Sequence, residues 1–394
     1  MNVLKKRIAK STHPIYNLRF GMVCLGSLLF STSFNMLIPE LPAYLSSLGG
    51  AEYKGLIISL FTLTAGISRP FSGRLTDTIG RVPVMLIGAV VCLMSGFLYP
   101  VLGTVSGFLL LRLVHGFSTG FTPTALAAYV ADIIPKGRWG EAMGLQGLFF
   151  STGFAIGPAI GSFITLSYSF NILFYASSLF AFMGMLIFFQ MKETLPNRQR
   201  FTLASLKISK RDIIAPEVLP AAIVMFLSYI GFGVILTLIP DWSGHLGTPN
   251  KGLFFIVFTI ASLTIRFVAG RASDKYGREL IINIGLFALV LGLAGIGYAT
   301  TLTHLLFAAA AYGLAMGILS PAINAWTIDL SHPDYRGKAM ATMYIALEAG
   351  IGLGAFISGW YYQDDIFKMP VIMYASAFIG FMGLIYMIFR KRQT

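Results

Sequence analysis

Charge and cysteine are both scarce in this sequence. Only 11% of its 394 residues are Asp, Glu, Lys or Arg, and its two cysteines are Cys24 and Cys92. Because a soluble domain carries about 25% charged residues, the chain lacks the polar surface that would let it face water everywhere. Two cysteines inside apolar stretches indicate neither a disulfide framework nor a metal site, and we expect both to be packing residues.

Apolar residues take the place of the missing charge. They make up 56% of the chain, and the mean hydropathy is +0.76. Since a membrane-spanning helix needs about 20 such residues, we predict an all-α membrane protein with twelve transmembrane helices in the lipid bilayer. The predicted spans are residues 17–40, 53–74, 83–101, 106–132, 139–166, 169–190, 217–240, 251–271, 280–299, 303–329, 337–361 and 370–390.

The motifs of enzyme chemistry are missing as well. The sequence has no nucleophile–base constellation, no metal-ligand cluster, no phosphate-binding loop and no large extramembrane segment. We therefore expect a protein that is not an enzyme and that needs neither a cofactor nor a metal. A membrane receptor or a membrane-embedded enzyme is the function class that the sequence favours least.

Positive charge is concentrated on one side of the predicted membrane. The net charge is +13, and 23 of the 29 basic residues lie on that side, in loops or at span ends, against only Lys54, Lys251 and Lys368 on the other. Basic residues in short loops mark the cytoplasmic side, so the charge reflects topology and does not indicate nucleic-acid binding. We predict a multi-pass protein of the cell membrane (the bacterial inner membrane) with both termini in the cytoplasm.

The chain also repeats itself at half its own length. The residues that recur 197 positions later are Arg69, Gly73, Arg74, Asp77, Gly80 and Arg81, which return as Arg266, Gly270, Arg271, Asp274, Gly277 and Arg278. Such internal repeats are typical of transporters whose binding site lies between two halves. We predict an N-terminal six-helix bundle over 1–191, a cytoplasmic linker over 192–215 and a C-terminal six-helix bundle over 216–394.

Each repeat carries a cluster of charged residues at the predicted cytoplasmic end of its second span. A carboxylate at a helix C-terminus is disfavoured by the helix dipole, so Asp132 needs a cationic partner, for which Arg81 is the natural candidate. We interpret the two sets as cytoplasmic gates, although loop charges that only set topology are the alternative. The members are Asp77, Arg81 and Asp132, with Asp274, Arg278 and Asp329, and the turn glycines are Gly73, Gly80, Gly270 and Gly277.

These loops resemble a known family signature. Gly73 to Arg81 is similar to the major facilitator superfamily motif Gly-x-Leu-x-Asp-[Arg/Lys]-x-Gly-[Arg/Lys], and Gly270 to Arg278 is a second copy. Thr78 replaces a basic residue in the first copy, and Ala272 replaces Leu in the second. The resemblance implies the major facilitator fold, with two pseudo-symmetric six-helix bundles.

The fifth predicted span places small residues on one helix face. Gly153, Gly157 and Gly161 recur every four positions and allow close helix packing, while Pro158 bends the helix. The segment also resembles the Gly-x-x-x-Gly-Pro-x-x-Gly-Gly signature of proton-coupled antiporters, with Ser162 in place of the last Gly. Together with the segment from residue 39 to 42, similar to an element of twelve-span drug exporters, this resemblance implies export.

Few charged residues lie deep inside the spans. Arg112 begins a segment that resembles the antiporters' fourth-span signature, in which an Arg is implicated in proton transfer; snorkelling to the interface is the alternative. Glu348 lies about 16 Å into its span, where a carboxylate binds a proton readily, although it can instead be a structural partner for Ser, Thr or Arg. We assign to the substrate and proton pathway Arg112, His115, Glu348, Asn35 and Gln146.

Two further carboxylates end spans at the opposite surface. Glu40 and Asp241 each follow a proline there and either form an outer gate with His245 or are simply solvated. We hypothesise alternating access, with Glu348 and Arg112 facing a central cavity in which proton and substrate exclude each other.

The sequence leaves the substrate open. We expect a monomer that exports a small amphipathic compound, a drug or metabolite, against a proton gradient. The alternative is a transporter of the same fold for a sugar, organic acid, siderophore or lipid, in either direction.

Overall fold

A computed structural model describes residues 17–134, 139–207, 214–332 and 336–391. The predicted cytoplasmic termini lie outside these ranges. Within them the chain is helical, with no β-strand. The long helices are α1 (Leu18–Asn35), α2 (Lys54–Thr78), α3 (Arg81–Leu98), α4 (Val105–Ile133), α5 (Trp139–Ser167), α6 (Phe170–Gln190), α7 (Leu219–His245), α8 (Leu253–Tyr276), α9 (Arg278–Tyr298), α10 (Leu302–Leu330), α11 (Arg336–Tyr362) and α12 (Met369–Lys391).

Local sequence signals set several helix ends, and some recur in both halves. The hydroxyl of Thr104 accepts from the third residue of α4 at 3.1 Å, and the hydroxyl of Thr301, 197 positions later, accepts from the third residue of α10 at 3.2 Å. Gly80 and Gly277 join α2 to α3 and α8 to α9 with φ of 122° and 92°, a backbone region that other residues rarely adopt. Both glycines therefore lie at turns between consecutive helices.

The spans agree with the sequence prediction, with small shifts at their ends. Among the described residues, nine helices are long and apolar enough to cross a membrane, and a tenth is α8, which bends by 42°. The other two long helices, α1 and α4, are less apolar because they carry internal serines, threonines and, in α4, Arg112 and His115. The first predicted span, 17–40, is divided between α1 and a turn that leads to a short helix, Leu41–Ser47.

The helices form two bundles with the same internal arrangement. In the first, α1 packs on α5 and α6, α4 packs on α2 and α3, and α3 packs on α6. In the second, α7 packs on α11 and α12, α10 packs on α8 and α9, and α9 packs on α12. The two bundles meet where α2 lies against α11 and where α5 lies against α8.

Small residues allow the close helix contacts within each half. A Cβ atom added at Gly161 on α5 would lie 1.9 Å from the carbonyl oxygen of Met36 just after α1, and one at Gly354 on α11 would lie 2.1 Å from that of Ile230 on α7. Such contacts leave no space for a side chain, so this face of the fifth span packs as predicted. Cys24 and Cys92 are free and buried.

The two halves touch at one membrane face and part toward the other. We call these faces the Lys54 face, where α2 and α8 begin, and the Asp77 face, where they end. At the Lys54 face a Cβ at Gly55 would lie 2.7 Å from the backbone of Ala355, across the interface. At the Asp77 face, Cβ atoms added at Gly73 and Gly270 would meet nothing within 4 Å. The structure is therefore closed at the Lys54 face.

Candidate functional site

The centre of the interface holds an ion pair that joins the two halves. Arg69 on α2 donates from Nη2 to Oε1 of Glu348 on α11 at 2.5 Å, and the two side chains are 16% and 10% exposed. The Arg69 guanidinium also lies over the ring of Tyr344, with its Cζ atom 5.0 Å from the ring centroid. Arg69 stands eight residues before Asp77, about 12 Å from that end of α2. Glu348 thus faces the other half of the protein and not lipid.

A second arginine lies in the same region without a carboxylate. Arg266 on α8 has the hydroxyls of Tyr229 and Tyr344 as its electrostatic neighbours. Its Nε atom is shielded from solvent and has no hydrogen-bond partner in the described part of the chain. The cluster of Arg69, Arg266, Tyr229, Tyr344 and Glu348, which we call the central cluster, contains two cations and one anion.

An aromatic layer adjoins the central cluster. Phe154 of α5 lies 6.0 Å from Phe232 of α7 and 6.1 Å from Phe258 of α8, measured between ring centroids. Tyr229, a member of the cluster, lies 5.8 Å from Phe232. These rings from both halves provide an apolar wall suited to the flat body of an aromatic compound.

Ion pairs also cross between the halves at the Lys54 face. The Nζ atom of Lys54, whose residue is only 4% exposed, donates to Asp241 at 2.7 Å and also to Asp364. Lys251, its repeat partner, lies 3.8 Å from Glu40. The two carboxylates predicted for an outer gate, Glu40 and Asp241, therefore have lysine partners from the opposite half.

His245, the partner suggested by the sequence for this outer gate, is instead stacked on Trp242 at 5.3 Å. Glu40 has a second neighbour of its own half, since Ser162 donates to it at 2.7 Å.

At the Asp77 face the charged clusters are assembled within each half. Arg81 donates to Asp132 at 2.9 Å and to Asp77 at 3.2 Å. In the second half Arg278 donates to Asp329 at 2.8 Å and also to Asp274. The pairing predicted for Arg81 and Asp132 is present. In each half these pairs link the ends of three helices. In this conformation they do not connect the two halves.

Arg112 and His115 lie inside the first half, away from the ion pair. Arg112 is 2% exposed, donates to the carbonyl of Ile57 at 2.9 Å and lies 3.3 Å from the Tyr99 hydroxyl. His115 is fully buried between that hydroxyl, at 3.2 Å, and the sulfur of Cys92. Within the described ranges no hydrogen bond or ion pair joins either residue to Glu348. The structure therefore does not bring together the three residues predicted to face one cavity.

Asn35 and Gln146 have local partners. Asn35 is 1% exposed and donates to the carbonyl of Ser31, one turn earlier in α1, at 2.7 Å. Gln146 of α5 donates to the hydroxyl of Ser27 of α1 at 2.8 Å. Both link or stabilise helices of the first half.

Comparison with known proteins gives the family. The model of the Major Facilitator Superfamily matches residues 23–219 and 221–394. The chain belongs to the Major Facilitator Superfamily. It is therefore a transporter and not an enzyme, as the sequence predicts.

Curated relatives of this major facilitator protein carry multidrug names. It is 29% identical to multidrug resistance protein 2 of Bacillus subtilis over 74% of this chain and 75% of the relative. It is 29% identical to the multidrug resistance protein MdtG of Enterobacter lignolyticus, over 90% of each chain. A third relative is the multi-drug resistance efflux pump PmrA homolog of Lactococcus lactis, 28% identical over 84% of this chain and 85% of the relative.

Solved structures of the superfamily share the fold. The human organic anion transporter MFSD10 aligns with a TM-score of 0.74 at 21% identity, over 93% of this chain and 98% of that one. The xylose transporter XylE from E. coli, in an inward open conformation, aligns with a TM-score of 0.75 at 17% identity, over 93% and 94%. These alignments confirm the predicted fold class of two six-helix bundles.

Two residues of the central cluster, Arg69 and Arg266, were not singled out as site residues from the sequence of this major facilitator protein. Both were noted as members of the repeat. The sequence does contain a usable signal: apart from Arg112, they are the only basic residues that lie at least five residues from either end of a predicted span. A charge in a membrane span is by default a functional candidate, with its partner to be identified.

The start of the linker is anchored to the first half by Glu193. Its carboxylate accepts from the backbone N–H groups of Arg81 and Val82, at 3.1 and 3.0 Å, which open α3 and have no partner within the helix. Although burial acts to raise the pKa of Glu193, the bonds from these two N–H groups and from those of Thr194 and Leu195 outweigh it and lower the pKa.

The lowered pKa of Glu193 predicts a pH-dependent contribution to stability. A carboxyl whose folded-state pKa is depressed stabilises the fold above its unfolded value, about 4.3, and loses that contribution as the pH falls through the folded value. We expect E193Q to lower the melting temperature in detergent at pH 7 by about 1–3 °C, from a loss of about 0.5–1 kcal/mol. The difference from wild type should shrink as the pH falls below about 4.3 and be lost once the pH is below the lowered folded-state pKa; a difference that does not shrink as the pH falls would contradict this role.

Proposed function

We propose that this transporter is a proton-coupled exporter of small amphipathic compounds that works by alternating access. The multidrug names of its relatives support the substrate class. The observation that carries the proposal is the Arg69–Glu348 ion pair, because it is central and partly buried and links one half to the other.

Protonation of Glu348 would remove the charge that holds this pair together. A buried ion pair that loses one charge leaves the other without compensation, at a cost of several kcal/mol. The pair joins α2 to α11 in the conformation closed at the Lys54 face. Its loss therefore destabilises that conformation relative to the one that is open at this face. Binding of one proton is thereby coupled to rearrangement of the two halves.

The transport cycle that follows has two phases. With the Asp77 face in the cytoplasm, Glu348 releases its proton inward, forms the pair with Arg69 and allows substrate to enter against the aromatic layer. A proton from outside then neutralises Glu348, and substrate leaves through the opened Lys54 face. The pairs of Lys54 and Lys251 act as the outer gate, and the Arg81 and Arg278 clusters keep the inner ends of each half rigid as gate elements.

Reconstituted protein tests the role of Glu348. The full chain is placed in liposomes with an acidic lumen, the membrane potential is clamped, and accumulation of the dye rhodamine 123 is followed, with protein-free liposomes as the background. We expect E348Q to lose more than tenfold of the pH-driven accumulation, since an amide cannot exchange the proton. Counterflow of unlabelled against labelled dye without a pH gradient should persist, because the neutral amide, like a protonated carboxyl, leaves the two halves free to rearrange.

The matched control is E217Q, which removes an exposed carboxylate at the start of α7 and should transport as wild type does. Accumulation by E348Q at the wild-type level would contradict the proposed coupling. If counterflow were lost too, Glu348 would be a structural residue.

A further inference from the structure

The two arginines of the central cluster occupy equivalent positions but different electrostatic environments. Arg69 and Arg266 are separated by the repeat displacement of 197, and their helices, α2 and α8, make equivalent contacts with α11 and α5. Arg69 is neutralised by Glu348 of α11. The position on α5 equivalent to Glu348 is Ser151. The repeat therefore provides a counter-ion for one arginine and none for the other.

The surroundings of Arg266 leave a positive charge uncompensated. Its neighbours are the neutral hydroxyls of Tyr229 and Tyr344, and its Nε donor is buried and unpaired. Among the described residues Glu348 is the single carboxylate of the cluster, and it is already bonded to Arg69. A guanidinium inside a membrane protein is costly to retain unless it has a partner or a purpose. Its planar set of donors matches a carboxylate or a similar anion.

An aromatic wall lies next to this charge. Tyr229, an electrostatic neighbour of Arg266, lies 5.8 Å from the ring of Phe232, and Phe232 in turn lies beside Phe154 and Phe258. A ligand with its anionic group on Arg266 would therefore place an adjoining flat ring system against side chains from both halves.

We propose that Arg266 is an anion-binding subsite and that, among aromatic amphipathic substrates, it favours those carrying a carboxylate or similar anionic group. This inference rests on the proposed transport function and specifies its substrate. The anionic group provides the counter-ion that the second half of the repeat lacks. Glu348 remains the proton-binding group, and Arg266 discriminates among ligands.

Two dyes that differ in one group test the subsite. Rhodamine 110 carries a free carboxylate, and rhodamine 123 is its methyl ester on the same ring system. Binding of each to the purified full chain is measured by fluorescence anisotropy. We expect wild type to prefer rhodamine 110, and R266Q to weaken its binding about tenfold to a hundredfold while leaving rhodamine 123 unchanged, since a hydrogen bond to a charged group is lost. R266K should retain part of the preference.

The control is R271Q, an exposed arginine further along α8, which should bind both dyes as wild type does. Equal binding of the two dyes by wild type would overturn the proposal, as would equal weakening of both dyes, or of neither, in R266Q. Failure of the transport proposal is distinguishable: neither dye would then be driven by a pH gradient, while the carboxylate preference and its dependence on Arg266 would remain.

Discussion

Valine in place of Gly55 is expected to stop transport while both halves stay folded. A Cβ at this position would lie 2.7 Å from the carbonyl oxygen of Ala355 and 3.0 Å from the Cα atom of Gly359, both backbone atoms of a helix in the other half. Backbone cannot move aside as a flexible side chain can, so the Lys54 face cannot close fully around the added side chain. Overpacking of this kind costs about 1–3 kcal/mol, which shifts a two-state equilibrium about 5–150-fold.

The measurement has a transport readout and a folding readout. We expect G55V to reduce dye counterflow by more than tenfold and to melt close to wild type, because the contact it breaks lies between the halves. G161V is the contrasting variant, since its contact with Met36 lies within the first half and should lower the melting temperature. G21V, with nothing within 4 Å of the added Cβ, is the control for valine in a membrane helix. Wild-type transport by G55V would show that the Lys54 face need not close.

Loss of Lys54 is also expected to weaken closure of the Lys54 face. It does so by removing an attraction between the two halves, whereas G55V adds a steric clash. Lys54 connects α2 to Asp241 near the end of α7 and to Asp364 in the loop before α12. Without it, two neighbouring carboxylates repel each other where one cation had joined them. Removing one partner of a fully buried pair costs about 3–5 kcal/mol, and the cost here is smaller because the Asp364 side chain is 47% exposed. We expect K54Q to favour opening of the Lys54 face.

Cysteine labelling follows this opening. With a cysteine in place of Phe255, a buried residue one turn inside the Lys54 face, a membrane-impermeant maleimide applied from that side should react several-fold faster in K54Q than with Lys54 present. The native cysteines are buried and give little background. K368Q is the matched control, since that lysine lies 3.9 Å from Asp365 in an exposed pair that contributes little. Equal labelling rates with and without Lys54 would mean that this pair does not hold the face closed.

Most of the fold could be predicted from the internal repeat and the hydropathy of the sequence. A displacement of 197 is enough to predict two equivalent bundles, because helices with the same pattern of small and charged residues pack in the same way. The pairing of Arg81 with Asp132 was predictable from the helix dipole, since a carboxylate at the C-terminus of α4 needs a cationic partner and Arg81 lies on the same face.

The contacts between halves were less accessible to sequence reasoning. In the sequence, Lys54 and Lys251 are two of the few basic residues on their side of the membrane. Their carboxylate partners become apparent only from the packing of α2 and α8 on the opposite half. Arg112 was predicted to face the cavity from its position inside a span and from the resemblance to the antiporters' fourth-span signature. Depth along a helix does not specify direction around it, and the structure satisfies Arg112 through Tyr99 and a backbone carbonyl in its own half.

The most direct test of the account is the distance between the two halves as a function of pH. Spin labels are placed at the Lys54 face on Ser47 and Gln363, and at the Asp77 face on Thr78 and Lys275, and distances are measured by double electron–electron resonance in lipid nanodiscs. The account predicts that acidification lengthens the first distance and shortens the second, and that E348Q abolishes this pH response. Distances that do not change with pH, or that respond equally in E348Q, would contradict a proton-operated link at Arg69 and Glu348.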